Sequence, residues 1–411
     1  MATTRIPIGE LRVGMYVARL DLSWFRSPLL RHSFLIEHPS QIEKLIRAGV
    51  KMVDIDPDRG IASQPQLVSD PMCGSTEAAP PCNTKRPKPL AQLNEEYAQA
   101  KLAKQQLDHA VQSVFTTITK TGTVDSQQAA EAVQEITIAM RTLTDSAIFM
   151  ALNQNRAGDS SLSQHALTTC TLSLVLGQAT QLNPLELHEL ATAALLHDIG
   201  LLQIRPILVR RVHTASGLSE TDRREWETHP RRAVLMLERQ SRMDPPILQL
   251  IANHHVYLDD SGYPQESRGQ FTSERTRILM MVDRYDELIT GFGGSAPLSP
   301  HQTFQRLYHE AQQGKLDPGI LSSFIARVGI YPVHSHVRLN TRELAVVTEL
   351  NREKLHQPIV TITHQSGGTE YPAPFVVDLA HQTDEPQVRA IETIVETDSQ
   401  DENARRRHCY S

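Results

Sequence analysis

The sequence predicts a mainly α-helical protein: a helical bundle with ionisable side chains on its inner faces, a small α/β domain ahead of it and a short β-rich extension behind. Three observations carry this. Between about residues 91 and 335 apolar residues recur every three or four positions, the period of a helix with one buried face. The first sixty residues mix short alternating runs with a single amphipathic helix. After residue 335 the periodicity switches to short runs rich in Val, Ile and Thr.

In chain order, residues 1–60 read as the α/β module. "IPIGELRVGMYVARLDL" alternates about a turn at Gly14, and "PSQIEKLIRAGV" reads as a helix capped by Ser40 and ended near Gly49. "KMVDID" reads as a strand. Residues 61–90 hold Pro, Ser, Gly and Thr without a period, which predicts a flexible linker. Residues 91–155 form a helical lead-in rich in Ala, Gln and Glu, or a pair of helices through which the chain forms a homodimer. Residues 156–376 carry the histidines and end in the strand-like runs "HVRLN", "ELAVVTEL" and "PIVTIT". Residues 377–411 read as a disordered charged tail.

Composition excludes several classes of partner. A formal net charge of −6 argues against a nucleic-acid polymer, though not against a small anionic ligand held by local groups. No run approaches the roughly 18 apolar residues of a membrane span. The N-terminus lacks the apolar segment of a signal peptide, so a cytoplasmic location is expected. Cys73, Cys82, Cys170 and Cys409 show no C-x-x-C spacing and read as reduced bystanders.

The informative residues are the histidines, because they occupy positions where a core should be. Asn183 caps a helix, Pro184 suits its first position, and Leu187, Leu190, Ala191 and Ala194 set its buried stripe. Continuing that spacing lands on His197 and Asp198 in "LLHDIG". His165 lies on the face set by Leu162, Leu172, Val175 and Leu176. His254 and His255 continue the face of Ile247, Leu250 and Ile251. Asp283 flanks the face of Leu279 and Val282, and His229 stands before Pro230 where a helix begins. Burying one such group unpaired costs roughly 2–7 kcal/mol even when it is neutral. One inward histidine is more often a hydrogen-bonded core residue, but five histidines and two aspartates on five helical segments need a common partner. Metal ions held by imidazole and carboxylate satisfy all seven. Seven ligands exceed a tetrahedral site, so two divalent transition-metal ions sharing Asp198 are expected, with Fe or Mn ahead of Zn, Ni or Co because thiolate is absent.

The motifs "LLHDIG", "ETHPRRAVLML", "NHHVYLDDSGYP" and "ILMMVDRYDELIT", in this order, resemble the HD-GYP domain, a subgroup of the HD metal-dependent phosphohydrolases, over about residues 155–365. The first sixty residues look like the uncharacterised domain often fused ahead of it. The resemblance implies an HD-type bundle around the metal site and a bacterial signalling role. It implies hydrolysis of cyclic di-GMP to pGpG or GMP by a metal-bridged hydroxide, with His197 and Asp198 at the catalytic centre. It also implies that Gly262, Tyr263 and Pro264 shape the substrate pocket and can contact diguanylate cyclases or other signalling proteins.

The chain departs from the family beside the ligands. Leu201 stands where a lysine is usual, Val256 where a glutamate is, and Asp260 where a glycine is. The downstream Arg-x-Tyr element is missing from "ITGFGGSAPLSP", and Ser161 replaces the glutamate that some members use for a third metal. Losing cations weakens the hold on two phosphate charges. Arg205, Arg210, Arg211 and Arg284 are candidate substitutes, Arg284 first because it follows a ligand directly, against the plainer reading of solvated surface arginines. Trp24 and Trp226 read as core. Two other readings stay open: a catalytically weak HD-GYP domain acting as a cyclic di-GMP sensor or interaction module, and an HD phosphohydrolase for another nucleotide.

Overall fold

The computed structural model describes residues 4–20, 34–36, 38–47, 50–57, 89–153, 161–205, 219–240, 243–268, 272–292, 296–351, 354–382 and 388–395. In the N-terminal module, strands β1 (Thr4–Pro7), β2 (Tyr16–Leu20), β3 (Phe34–Leu35) and β4 (Met52–Ile55) form an antiparallel sheet in the order β1-β4-β2-β3. Helix α1 (Pro39–Arg47) packs with it through Leu45, and Ile6, Val17, Ile36, Val53 and Ile55 complete a core of its own. The expected cap is displaced by one residue. The helix begins at Pro39, whose fixed φ suits a first position, so Ser40 lies inside the first turn. Most of the expected linker 61–90, together with Gly49, Trp24, Arg210 and Arg211, lies outside the described residues.

The helical region follows as α2 (Leu90–Thr121), α3 (Ser126–Thr142), α4 (Asp145–Asn153), α5 (Leu162–Ala179), α6 (Pro184–Leu196), α7 (Glu220–Trp226), α8 (His229–Gln240), α9 (Pro245–Asn253), α10 (Glu274–Thr290), α11 (Pro300–Gln312) and α12 (Pro318–Val328). The expected boundary at 155/156 is corrected here. Leu107, Val111 and Ile118 of α2, Val133 and Ile136 of α3, and Phe149 and Leu152 of α4 belong to the same apolar core as Leu167, Leu195, Leu279 and Phe324. The lead-in helices carry apolar stripes that need a covering face, and α5 and α6 supply it. Lys104 and Asp108 of α2 bracket Gln164, the residue before His165, at 3.0 and 2.6 Å.

Behind the bundle, β5 (His336–Leu339), β6 (Leu344–Glu349), β7 (Ile359–His364), β8 (Glu370–Asp378) and β9 (Ile391–Ile394) form an antiparallel sheet in the order β8-β7-β6-β5-β9. The first three are the expected strands. The expected tail boundary at 377 falls inside β8, and β9 pairs with β5, so residues 388–395 are sheet rather than tail. Charge disguised this segment. Arg389 places its Nε 2.7 Å from Glu343, and Ala390 N–H donates to the Asn340 side chain at 3.0 Å, which pins β9 in place. Residues 396–411 lie outside the described residues. Among the described residues, no helix is long and apolar enough to cross a membrane.

Candidate metal centre

Five segments end or pass at one point. Asn183 and Glu186 form a reciprocal capping box at the start of α6, as the sequence suggests. That helix stops at Leu196, sooner than its apolar stripe implies. His197 closes it and Asp198 opens a tighter 3-10 turn, Ile199–Gln203. Gly200 explains the turn's position. A Cβ there would stand 2.0 Å from the His229 carbonyl oxygen and 2.8 Å from Ala233 N, so only glycine lets the turn lie against α8. His229 is the first residue of α8, and His254 closes α9 with His255 after it. His165 sits one turn into α5, whose hydroxyl cap is Ser161. Asp283 lies mid-way along α10. The structure thus brings all seven expected ligands together, each buried.

Their geometry separates into two sets. His165 and His197 bring their Nε2 atoms to 3.1 Å of each other, with Asp283 Oδ1 at 3.1 and 3.5 Å. His229 and His254 bring theirs to 3.2 Å, with Asp198 Oδ1 at 3.0 and 3.6 Å. Asp198 Oδ2 reaches back to His165 Nε2 at 3.6 Å, so this carboxylate lies between the sets. The outer nitrogens fix the tautomers. Nδ1–H of His197, His229 and His254 donates to the carbonyls of Ala194, Trp226 and Ile251 at 2.8, 2.9 and 2.7 Å, and that of His165 donates to Asp286 at 2.7 Å. A carbonyl only accepts, so the Nε2 lone pairs point inward at one another and at carboxylate. Asp198 Oδ1 is buried with no hydrogen-bond partner. Lone pairs converging on an orphaned carboxylate oxygen repel unless a cation lies among them. The donor set therefore fits divalent metal, and the outer hydrogen bonds are those that orient ligating imidazoles.

Burial opposes charge on all of these groups, and neighbours decide the outcome. Asp283 and Asp286 hold His165 well above an ordinary histidine, and Asp198 and Asp283 raise His197. Burial prevails at His254 and His255, which are lowered, His255 well below the usual range. Asp198 is held well below ordinary carboxylates by His197 and His229, and Asp283 by His165 and His197.

These directions fix a pH dependence. Above the ordinary histidine value of about 6.5, metal-free protein loses stability as His165 and His197 give up protons that the unfolded chain has already lost. Below it, stability falls because His254 and His255 stay neutral while the unfolded chain protonates. The chelated protein should melt highest near that value. Metal needs neutral imidazoles, so the rise in melting temperature on adding Mn²⁺ should grow from pH 6 to pH 8. Thermal melts with and without chelator across that range check both.

The GYP turn folds back on the centre. Val256 and Gly262 form an antiparallel bridge, and Tyr263 N–H donates to the His255 carbonyl at 3.1 Å. Gly262 has φ +85°, and a Cβ there would meet the His255 oxygen at 2.0 Å, so glycine is required twice over. The Tyr263 ring stands 4.6 Å from that of His255 and 5.8 Å from that of His229, and Arg268 donates to the Gly262 carbonyl at 2.6 Å. Pro264 follows as the residue ahead of a short 3-10 turn.

Arg284 does not serve as expected. Its Nε and Nη2 donate to Glu310 at 3.1 and 2.9 Å and its Nη1 to Glu287 at 2.9 Å, so the fork is filled and ties α10 to α11. Arg205 likewise pairs with Asp222 and Glu225. Leu201 is buried with Ile204, Trp226 and Phe292, in a wall that reaches the ligands. Phe292 stacks on His165 at 4.7 Å and Trp226 meets His229 edge-on at 5.7 Å. The lysine position has thus become core. Leu201→Lys should lower stability by about 3 kcal/mol or more, with no gain in metal or phosphate binding. Denaturant melts and metal content on the same samples test this. Sequence reasoning missed Asp286, Phe292 and Glu287. Asp286 and Glu287 follow Asp283 by three and four residues on one helix, a spacing that places them on its face and signals their roles. Burial and then the charge of Asp283 push the Glu287 carboxyl up to about 7.

A helical bundle with paired inward imidazoles and an aspartate lying between the pairs offers a donor set for divalent metal. Residues 134–320 match the HD domain family, and residues 3–129 match a family described as a domain of unknown function (DUF3391). The two matched regions follow one another along the chain. Among curated relatives, a cyclic di-GMP phosphodiesterase of Pseudomonas aeruginosa is 28% identical over 386 residues, covering 92% of this chain and 90% of that protein. The cyclic di-GMP phosphodiesterase PdeB of Borreliella burgdorferi is 22% identical over 203 residues, 49% of this chain and 52% of that protein. Among solved structures, an HDG"Y"P protein from Bdellovibrio bacteriovorus aligns with a TM-score of 0.45 and 15% identity, over 79% of this chain and 98% of that one.

Proposed function

We propose that the chain is a metal-dependent phosphodiesterase that hydrolyses cyclic di-GMP to pGpG or GMP in the cytoplasm. One observation carries the reading: two pairs of imidazole lone pairs converge on Asp198 and Asp283 beside the Gly262–Pro264 turn. One relative that resembles the chain along most of its length is named for acting on this dinucleotide. Divalent ions, Fe or Mn by the donor set, supply a Lewis acid for the phosphodiester and a water acidic enough to attack it. The protein's part is positional. His165, His197 and Asp283 would hold one ion, and His229, His254, His255 and Asp198 the other. Asp198 lies between the two sets of imidazoles and would serve both. Tyr263 and the Gly262 backbone form the wall against which the substrate lies, and the turn 262–264 is the surface offered to signalling partners.

A second reading, a sensor or interaction module with weak turnover, is favoured by the apolar Leu201 wall and the occupied fork of Arg284. The experiment is incubation of Mn²⁺- or Fe²⁺-loaded full-length protein with cyclic di-GMP, with products separated by chromatography and binding followed by calorimetry. Turnover to pGpG or GMP is the expected result. Tight binding without turnover supports the second reading, and neither binding nor turnover defeats both.

A further inference from the structure

His165 stands one turn into α5, and two neighbours hold its ring: Asp286 accepts the Nδ1 proton at 2.7 Å, and Phe292 stacks on it at 4.7 Å. Its main chain needs a separate hold, because the first N–H groups of a helix lack intrahelical acceptors and helix ends fray. The cap here is weak. Ser161 Oγ accepts from Gln164 N at 3.5 Å, beyond the usual range of such a bond. The stronger hold comes from α2. Lys104 Nζ donates to Gln164 Oε1 at 3.0 Å and to Asp108 Oδ2 at 2.8 Å, and Gln164 Nε2 donates to Asp108 Oδ1 at 2.6 Å. The three side chains close a ring. Its lysine and aspartate, one turn apart on α2, are 18% and 24% exposed, and charge-assisted bonds of this kind are about twice as strong as neutral ones. Helix α2 lies wholly within residues 3–129, the region that matches the N-terminal family, yet its Leu107, Val111 and Ile118 share a core with Leu167 of α5 and Leu195 of α6.

We propose that Gln164 is a positioning residue for His165, and that its clamp by Lys104 and Asp108 makes α2 the element that controls occupancy of the metal position at His165, His197 and Asp283. The inference rests on the reading of the seven buried side chains as a metal centre. Gln164 and His165 are adjacent, so their side chains leave α5 about 100° apart. One meets α2 and the other meets the centre, and fixing the first fixes the main chain of the second. With α2 in place, His165 Nε2 lies 3.1 Å from His197 Nε2 and 3.1 Å from Asp283 Oδ1. A slide or roll of α2 drags Gln164 with it and draws His165 out of that arrangement. The other set, Asp198, His229, His254 and His255, stands on the HD turn, the start of α8 and the end of α9, segments that bear no part of the clamp. Movement of α2 therefore empties one position and spares the other.

The test compares the full-length parent with Gln164→Met, Gln164→Glu and the double variant Gln164→Glu, Asp108→Asn. Methionine removes both bonds of Gln164 but leaves Lys104 and Asp108 paired with each other. Glutamate sets a carboxylate against Asp108, and the added asparagine supplies a donor that rebuilds the ring with its polarity reversed. Chelator-stripped protein is titrated with Mn²⁺, with free Mn²⁺ followed by electron paramagnetic resonance. Two ions are expected in the parent. In each single variant one of them should bind about tenfold more weakly, the effect typical of removing a group that supports a ligand. The other should keep its affinity, and the double variant should recover both. Amide hydrogen exchange in chelator gives a reading independent of metal: residues 164–166 should exchange faster in the single variants than in the parent and the double variant, with α9 unaltered. A purely structural role would lower the melting temperature without separating the two affinities. Equal weakening of both ions, unchanged affinity and exchange, or no recovery in the double variant overturns the clamp and leaves the metal centre standing. A parent that binds fewer than two ions defeats the centre as two positions.

Discussion

Asp198→Asn should strip the centre of metal and reduce hydrolysis by a factor on the order of 10³ or more, and also lower the melting temperature of the metal-free fold. The two halves of this result have different causes. Asp198 lies between both histidine pairs, with Oδ1 3.0 Å from His229 Nε2 and Oδ2 3.6 Å from His165 Nε2. An amide of the same shape cannot supply the negative charge that ions held on either side of it would share, and losing one charge-stabilising group at a reacting centre alone costs about 10²–10³ in rate. In metal-free protein the loss has another source. His197 and His229 hold Asp198 well below ordinary carboxylates, so its charge stabilises the fold at pH 8, and a neutral amide forfeits that contribution. At pH 8 in chelator the variant should therefore melt below the parent, while in excess Mn²⁺ the parent alone should gain stability. Elemental analysis, melting curves and single-turnover assays on the same preparations check it. A variant that retains both ions would contradict the shared role.

The second large effect is expected from Gly200→Ala, which adds one methyl group. Its Cβ would stand 2.0 Å from the His229 oxygen, 2.9 Å from the His229 carbonyl carbon and 2.8 Å from Ala233 N. All three are backbone atoms, so no rotamer relieves the clash. The HD turn and the start of α8 must move apart, carrying Asp198 away from His229. Overpacking of this kind costs about 1–3 kcal/mol, or roughly 5 °C in a domain of this size. Metal affinity should fall with it, since ligand positions are coupled to folding. Leu202→Ala, at an exposed neighbouring position, is the control and should change neither measurement. Unaltered melting and metal content in Gly200→Ala would show that the turn and α8 do not meet as described.

The seven inward side chains were legible because most of them fall on or beside an apolar stripe, which can be read from one sequence. Which Nε2 faces which carboxylate was not, because that depends on how five segments cross. Leu201 shows the limit most clearly. Helical spacing from His197 sends it toward the ligands, but α6 stops at Leu196 and the tighter turn rotates it into the wall of Trp226 and Phe292. Arg284 was misread for a related reason. Of its two carboxylate partners, Glu287 is local, but Glu310 lies on a different helix, and no local pattern announces that pairing. Residues 388–395 were hidden by charge, since a four-residue strand on a sheet edge buries too little to show alternation.

Three of the four imidazoles with inward Nε2 atoms are oriented by main-chain carbonyls three residues back, and only His165 depends on another side chain, Asp286. A carbonyl cannot be mutated away. Genetic drift can therefore erase the orientation of His197, His229 or His254 only by altering the histidine itself or the path of its segment. For His165 a single codon elsewhere suffices. In any set of variants selected for loss of the centre, substitutions outside the ligands should concentrate at position 286, and a lineage that abandons catalysis has its shortest route there.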